Sequence, residues 1–403
     1  MRVCIVTTSY PRFPGDVSET TTGAPVRHLV ALEKMDVTVL APADAGAPAR
    51  EQSPGLDVRR VRYFWPARWQ KLAYGAGIPW NLRRSVLAWL NLPTFFLAFA
   101  WAIWRQARRA DIVHAYWGVL GALAVALRPL HRRPVVVTIL GSDWRTPLAP
   151  VRWASAWAVR HADAVTTPSQ GFAAAFRQMR GDPEAVWFLP LGIEAPSAAQ
   201  IEQQRAAAAA PAHPHIVSIG RLISERRHDS LVRALVRIRE RFPEAHLTIV
   251  GDGPQRGRIE ALVRQLGLAG AVTLTGLAPR ADLLAYLLSA DIYASATSID
   301  AYGTATVEAA AYALPIVTTR VGFPAELVAD GATGYVIPPE DEGALAEALL
   351  KLCDLAPEAR RAMGRRMRDR FDEMGLTWAK CTERLASIYR ACLGRRPAAA
   401  TRR

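Results

Sequence analysis

Cysteine is scarce in this 403-residue chain: Cys4, Cys353, Cys381 and Cys392 are scattered, with no C-x-x-C spacing. That excludes a disulfide framework and a thiolate zinc site, and points to a reducing cytosol. Lysine is nearly missing as well, since only Lys34, Lys71, Lys351 and Lys380 stand among 50 basic residues. The arginine excess runs through every segment, so no single arginine carries much positional information. No G-x-G-x-x-G follows the first strand, which runs into "TTSYPRFPGD", and "GDGPQRG" has the wrong spacing for a dinucleotide fingerprint. An NAD-dependent oxidoreductase therefore fits poorly. No D-x-D pair stands at a strand end to hold a divalent ion, and "HPH" at His213 and His215 reads as hinge sequence, so no metal is expected. The opening "MRVCIVTTSYPRFPGD" has too short an apolar run for a secretory signal.

The chain does have the composition of a folded enzyme, 51% apolar and 21% charged. Its length suits about two domains, each with a core of its own. The formal net charge of +14 points to anionic partners: phosphates, nucleic acid or a membrane surface. No nucleic-acid reading module is visible, so a basic nucleic-acid binder rests on charge alone and no nucleic-acid partner is expected.

Short β-branched runs alternate with helical patterns, as in parallel sheets with crossover helices. Strands are expected at "RVCIVT", "DVTVLA", "DVRRVRYF", "DIVHAY", "PVVVTIL", "DAVTTPS" and "VWFLPL", and in a second series at "HIVSIG", "HLTIVGDG", "AVTLTG", "DIYASA", "PIVTTR" and "GYVIP". Between the series lies a low-complexity Ala/Pro/Gln stretch that reads as a hinge with a short helix in it. The expected division is an N-terminal domain over 1–193, a linker over 194–214, a C-terminal domain over 215–376, a final helix over 377–393 and a frayed tail over 394–403. Both domains read as α/β, doubly wound parallel sheets of Rossmann type. Ligands in such sheets bind beyond the carboxyl ends of the strands.

One segment stands apart. Residues 59–109 carry ten Lys/Arg and no acid, with six tryptophans interleaved, and "VLAWLNLPTFFLAFAWAIW" runs 19 residues without a charge. The length would suffice for a bilayer span. Asn91, Pro93 and Thr94 interrupt it, which favours a core helix or an interfacial helix on an anionic inner leaflet.

Chemistry concentrates in "SIDAYGTATVEAAAYALP", residues 298–315. Asp300 falls in the loop leaving the strand "DIYASA", and "TATVEAAAYA" reads as the next helix. Backbone amides of Gly303, Thr304 and Ala305 at its start would favour an anion such as phosphate. Glu308, one turn in, would accept hydrogen bonds from a sugar diol, and a ribose on that same phosphate fits. In "SIGRLISERRHDSLVRAL", Gly220, Arg221 and Arg226 follow the strand "HIVSIG" at the same sheet edge. Two guanidinium groups there would neutralise a departing diphosphate. In the first domain, His114 in "DIVHAYW" and Asp143 in "LGSD" are expected at strand ends facing a ligand.

Across "GRLISERR", "GDGP", "GLAPRADLLAYLLSADIYASATSIDAYGTATVEAAAYALPIVTT" and "VGFPAELVADGATGYVIPPED" the second half resembles the family 4 retaining glycosyltransferases of the GT-B fold, the group 1 glycogen-synthase and mannosyltransferase type. The first half resembles them more loosely through "TTSYPRFPGD", "RYFWPARWQKLAYGAGIPWNL", "DIVHAYW", "VTILGSD" and "ADAVTTPSQGFAAAF". The resemblance implies two Rossmann-like domains facing across a cleft. It implies an acidic pair at Asp300, near the transferred sugar, and Glu308, on the ribose, with Arg221 and Arg226 on the diphosphate. It also implies an acceptor side that includes Gly23. Asp300 stands where the family usually has Glu, Arg226 where it has Lys, and Leu140 where a histidine commonly contacts the sugar.

The expected activity is retaining, metal-independent transfer of a hexose from a UDP- or GDP-linked sugar to a hydroxyl of a glycolipid or polysaccharide. The nucleotide sugar is a substrate and no cofactor is implied. The expected place is the cytoplasm, at the inner face of the membrane through residues 59–109. The rival readings are a nucleotide-sugar epimerase of similar fold and a basic membrane- or nucleic-acid-binding protein with impaired catalysis.

Overall fold

The computed structural model describes every residue except 14–15, 17, 75–77, 142, 145, 147, 208–213 and 395–403. His213 and nearly all of the expected tail lie outside the described residues. Two compact units emerge, Met1–Gly192 with Trp378–Arg403, and Ile193–Thr377.

In the first unit the Val- and Ile-rich runs form β1 (Arg2–Val6), β2 (Asp36–Pro42), β3 (Arg50–Ser53), β4 (Leu56–Val61), β5 (Ile112–Tyr116), β6 (Val135–Thr138), β7 (Ala164–Thr167) and β8 (Val186–Phe188). They assemble in the order β3-β4-β2-β1-β5-β6-β7-β8. All neighbours are parallel except β3 and β4. Strand β3, "REQS", was not expected. It is a charged edge strand formed by a hairpin through Gly55, whose φ of 76° suits glycine. Arg50 on β3 grips Asp57 on β4 at 2.8 Å.

Successive residues of each strand point to opposite faces, so the sheet has two cores. Cys4, Val6, Val113, Val135 and Val137 pack with Phe95, Phe99, Ile103 and Leu120 on one face. Val3, Ile5, Val37, Val39 and Val136 pack on the other with Leu29 and with Leu385, Ile388 and Tyr389 of the last helix, Trp378–Gly394. That helix, expected to stand by itself, is thus a layer of the first unit.

The helix Val86–Ala107 is built from the apolar run of the sequence. Ser85 caps it, accepting a hydrogen bond from the Ala88 amide. One face, Ala88, Asn91, Phe95, Phe99 and Ile103, is buried against the sheet. The opposite, solvent-exposed face carries Pro93.

The second unit contains β9 (His215–Ile219), β10 (His246–Val250), β11 (Val272–Gly276), β12 (Ile292–Ser295), β13 (Ile316–Thr319) and β14 (Gly334–Ile337) in the all-parallel order β11-β10-β9-β12-β13-β14. All six match expected runs. The order reverses at β9, between β10 and β12, where open α/β sheets leave a crevice. The expected linker helix appears as Ala198–Ala207 and lies within this unit, with Ile201 fully buried.

Candidate active site

The loops leaving β9 and β12 are laced together before any charge is considered. Thr297 and Ser298, just past β12, both donate to the Glu225 carbonyl, at 3.0 and 2.8 Å. Glu225 sits in the single turn Ser224–Arg226, so these bonds carry Arg226 to the β12 side. From the other flank the β10 loop closes in. Gly220 donates to Val250, Leu222 donates to the Asp252 carbonyl and Gln255 donates to Leu222, all near 3 Å. This approach explains "GDGP": a Cβ on Gly251 would lie 2.0 Å from the Gly220 carbonyl oxygen, and one on Gly253 2.5 Å from that of Leu222. Both glycines serve backbone contact rather than a phosphate loop.

Arg226 donates from Nη1 to Asp300 Oδ2 in a short ion pair. The other oxygen, Oδ1, accepts from the amides of Ala301 at 2.7 Å and Gly303 at 3.1 Å. Asp300 therefore both ties down the helix-start loop and orients a guanidinium. The loop is wedged against the helix Gly322–Leu327: Tyr302 stacks on Phe323, and a Cβ on Gly303 would meet Pro324 Cγ at 2.3 Å. With φ at 65°, Gly303 is required on two counts.

The helix Thr304–Ala311 begins there. Thr306 and Val307 close its first turn on the Gly303 carbonyl, which leaves the amides of Thr304 and Ala305 as those the helix does not use. The phosphate seat expected at amides 303 to 305 is corrected in one respect, because the Gly303 amide already serves Asp300.

Glu308 is 4% exposed. It shares its surroundings with a residue the sequence did not single out, Tyr293 on β12. That phenol is fully buried and hydrogen-bonded to Thr306. Arg226, Asp300 and Glu308 all act on it electrostatically, while burial holds it well above its ordinary pKa. Three expected site residues thus lie within electrostatic reach of one buried aromatic. The only sequence signal was a large polar-tipped ring in the small-residue strand "DIYASA".

A Cβ on Gly220 would stand in ordinary contact range of the Arg226 side chain and of His228. Arg221 is exposed, and among the described residues no acid pairs with it. His228, also missed, is 3% exposed and its Nδ1 has no hydrogen-bond partner. Burial, aided by the Arg226 charge, pushes its pKa down to about 4.

The first unit treats its expected residues differently. His114 stands in mid-strand, not at a strand end, and is fully buried. Its Nδ1 meets the Tyr389 hydroxyl at 2.6 Å and its Nε2 the Thr138 hydroxyl at 2.6 Å, so both nitrogens serve the core. Burial lowers its pKa to about 3. The ligand-facing role expected for His114 gives way to a structural one. Asp143, also buried, accepts from the Gly118 amide at 2.7 Å and the Gly141 amide at 3.1 Å. It caps the helix Gly118–Ala126, which displaces the acceptor-side role expected for it. Leu140 packs half-buried against the apolar layer on the side of the C-terminal helix. Gly23 ends a π-helical turn, Glu19–Gly23, where a Cβ would meet Pro11 at 2.5 Å.

Two doubly wound parallel-sheet units, the second with arginines, a helix start and a buried carboxylate at its switch point, have the GT-B fold. The whole chain superposes on solved members: sucrose-phosphate synthase of Thermosynechococcus elongatus, with a TM-score of 0.76 and 22% identity over 98% of this chain and 99% of that one, and Anabaena HepE in complex with UDP, at 0.73 and 17% over 97% and 100%. Residues 200–370 match the family model of the glycosyl transferases group 1, and residues 18–192 the glycosyl transferase 4-like domain. A GDP-mannose-dependent alpha-(1-6)-phosphatidylinositol monomannoside mannosyltransferase of Mycolicibacterium smegmatis is 30% identical over 62% of this chain and 69% of its own length. A glycogen synthase of Mycobacterium tuberculosis is 27% identical over 70% and 69%. The chain belongs to the group 1 glycosyltransferases of family 4.

Proposed function

We propose that this enzyme moves a hexose from a UDP- or GDP-linked sugar to a hydroxyl of a glycolipid or polysaccharide, with retention at the anomeric carbon. The observation that carries the proposal is the Arg226–Asp300 ion pair at the start of Thr304–Ala311, with buried Glu308 one turn into that helix, at the β9/β12 switch point. In this reading the amides of Thr304 and Ala305 seat a phosphate, Arg221 and Arg226 balance the diphosphate charge, and Glu308 accepts hydrogen bonds from the ribose. Asp300 approaches the transferred sugar or acts through Arg226. The C1–phosphate bond breaks while the acceptor oxygen bonds C1 on the same face, and the departing phosphate oxygen takes the acceptor's proton. The guanidinium groups and the helix start then do the work that a divalent ion does elsewhere, so neither metal nor cofactor is invoked.

The relatives support a nucleotide-sugar donor, since one is named for GDP-mannose and solved neighbours carry UDP or UDP-glucose. We place Gly23 on the acceptor side and the reaction in the cytoplasm at the inner membrane face, where a lipid-linked acceptor would lie. The support for that location is the acid-free basic run 59–109.

A panel of nucleotide sugars tested by thermal shift decides the donor. A ligand at about 100 times its dissociation constant adds roughly 2.7 kcal/mol. One base and sugar should raise the melting temperature, and Glu308→Ala should abolish the rise. No shift with any nucleotide sugar would refute the reading.

A further inference from the structure

Of the fifteen large hydrophobic residues exposed among the described residues, eight fall between Trp65 and Trp101, and five of those lie on the one helix Val86–Ala107. Val86, Leu90, Leu97 and Trp101 recur every four residues or so, with Pro93 between, and so share one face. Trp89 flanks them, and the large side chains of the group are 58 to 79% exposed. The helix is about 33 Å long, so the stripe is too extended to be incidental. Its ends are basic: Arg83 and Arg84 precede it, and Arg105, Arg108 and Arg109 follow, all exposed. Arg84 lies 4.4 Å over the Trp80 ring and Arg108 5.3 Å over that of Trp104, which places charge beside indole at both ends.

We infer that this outward face seats the first unit on an anionic phospholipid leaflet, the helix lying in the membrane plane with its apolar stripe among the acyl chains. The inference rests on and sharpens the location proposed above, and is independent of the transfer reaction. A bilayer span is incompatible with the fold. Phe95, Phe99 and Ile103 on the opposite face are 0 to 2% exposed in the sheet's core, and Asn91 accepts from the Lys71 amide at 2.8 Å. Crossing would strip that face from the sheet. A second copy is disfavoured as occupant, because a two-fold pairing of the stripe brings one arginine cluster against another, with no acid in 59–109 to separate them. An anionic leaflet supplies both complements, apolar depth for the stripe and negative charge for its ends.

Flotation of the full chain with vesicles of phosphatidylcholine alone, and with about 30% phosphatidylglycerol, tests this directly. The protein should float with the anionic vesicles, be released by about 1 M salt, and stay down with neutral ones. The double variant Leu97→Glu/Trp101→Glu, at exposed positions, should keep its melting temperature and lose about ten-fold or more in partitioning. Because the described cysteines are all buried, an environment-sensitive fluorophore on Leu97→Cys should report the stripe alone. It should shift to the blue with anionic vesicles, while the same label on exposed Leu277→Cys in the second unit should not. Failure to float, unchanged partitioning of the double variant, an equal shift at both labels, or a lipid-free dimer that the double variant splits would each overturn the inference. Donor binding, measured by the thermal-shift panel, separates failure here from failure of the transferase reading.

Discussion

In each unit the first strand sits where the order reverses, and the middle of the strand beside it across the switch carries a buried aromatic with a polar tip. On β5 it is His114, on β12 Tyr293. His114 is closed off by Tyr389 and Thr138. Tyr293 is bonded to Thr306 and lies in the field of Arg226, Asp300 and Glu308. Equivalent topology therefore does not assign equivalent work. In the first unit the last helix folds back over the sheet and bonds the histidine from above, while in the second the loops gather charged side chains at the sheet edge, Arg226 paired with Asp300.

The contrast should break first at Glu308. Glu308→Ala should cut kcat/KM for the donor about 100-fold or more, corresponding to roughly 3 kcal/mol of charge-assisted bonding, chiefly through the donor constant. His114→Phe is the matching change in the first unit. It should leave the donor constant alone and lower stability by about 1 to 3 kcal/mol, because it takes from the buried Tyr389 hydroxyl its His114 partner, while Thr138 keeps its bond to the Thr166 hydroxyl. Steady-state kinetics beside chemical denaturation reads both, and a donor defect in His114→Phe would restore a ligand role to that residue.

Acid sharpens the same comparison. His114 and His228 have folded pKa values of about 3 and about 4, against about 6.5 in an unfolded chain. Between those limits the unfolded state binds more protons, so stability is full above about pH 6.5 and falls as pH drops toward 4. Melting curves over that range should show the fall, and His114→Gln should make it shallower. Smaller effects are expected at Asp300. Asp300→Asn should weaken turnover about ten-fold by loosening Arg226, whereas Asp300→Glu, which keeps the charge, should stay within about three-fold of the parent. A loss in Asp300→Glu with Asp300→Asn unimpaired would show that length, not charge, matters there.

Much of this was legible beforehand because it is local. Thirteen of the fourteen strands lie in the short apolar, largely β-branched runs expected of strands buried on both faces. The eight-residue spacing of Asp300 and Glu308 could be read as a loop carboxylate and a helix carboxylate on one element, and both stand there. The illegible parts depend on contacts distant in sequence. Strand β3 has no apolar pattern and exists because β4 offers an edge. The role of "GDGP" appears only once the Gly220 and Leu222 carbonyls arrive from another loop. Asp143 caps a helix that starts 25 residues earlier, and the Gly303 amide is diverted by a side chain three residues before it.

The sequence alone determined the alternation of strands and helices, the kinds of charge at the sheet edges and the unbroken basic, tryptophan-rich run, since each follows from residue type and short-range spacing. Tertiary structure alone decided which polar groups are bound into a core, as His114 is, and which face of Val86–Ala107 is left to solvent. A hydrogen bond or an apolar contact removes a group from use whenever its partner arrives, and the partners here, such as Tyr389 for His114, come from as far as 275 residues away.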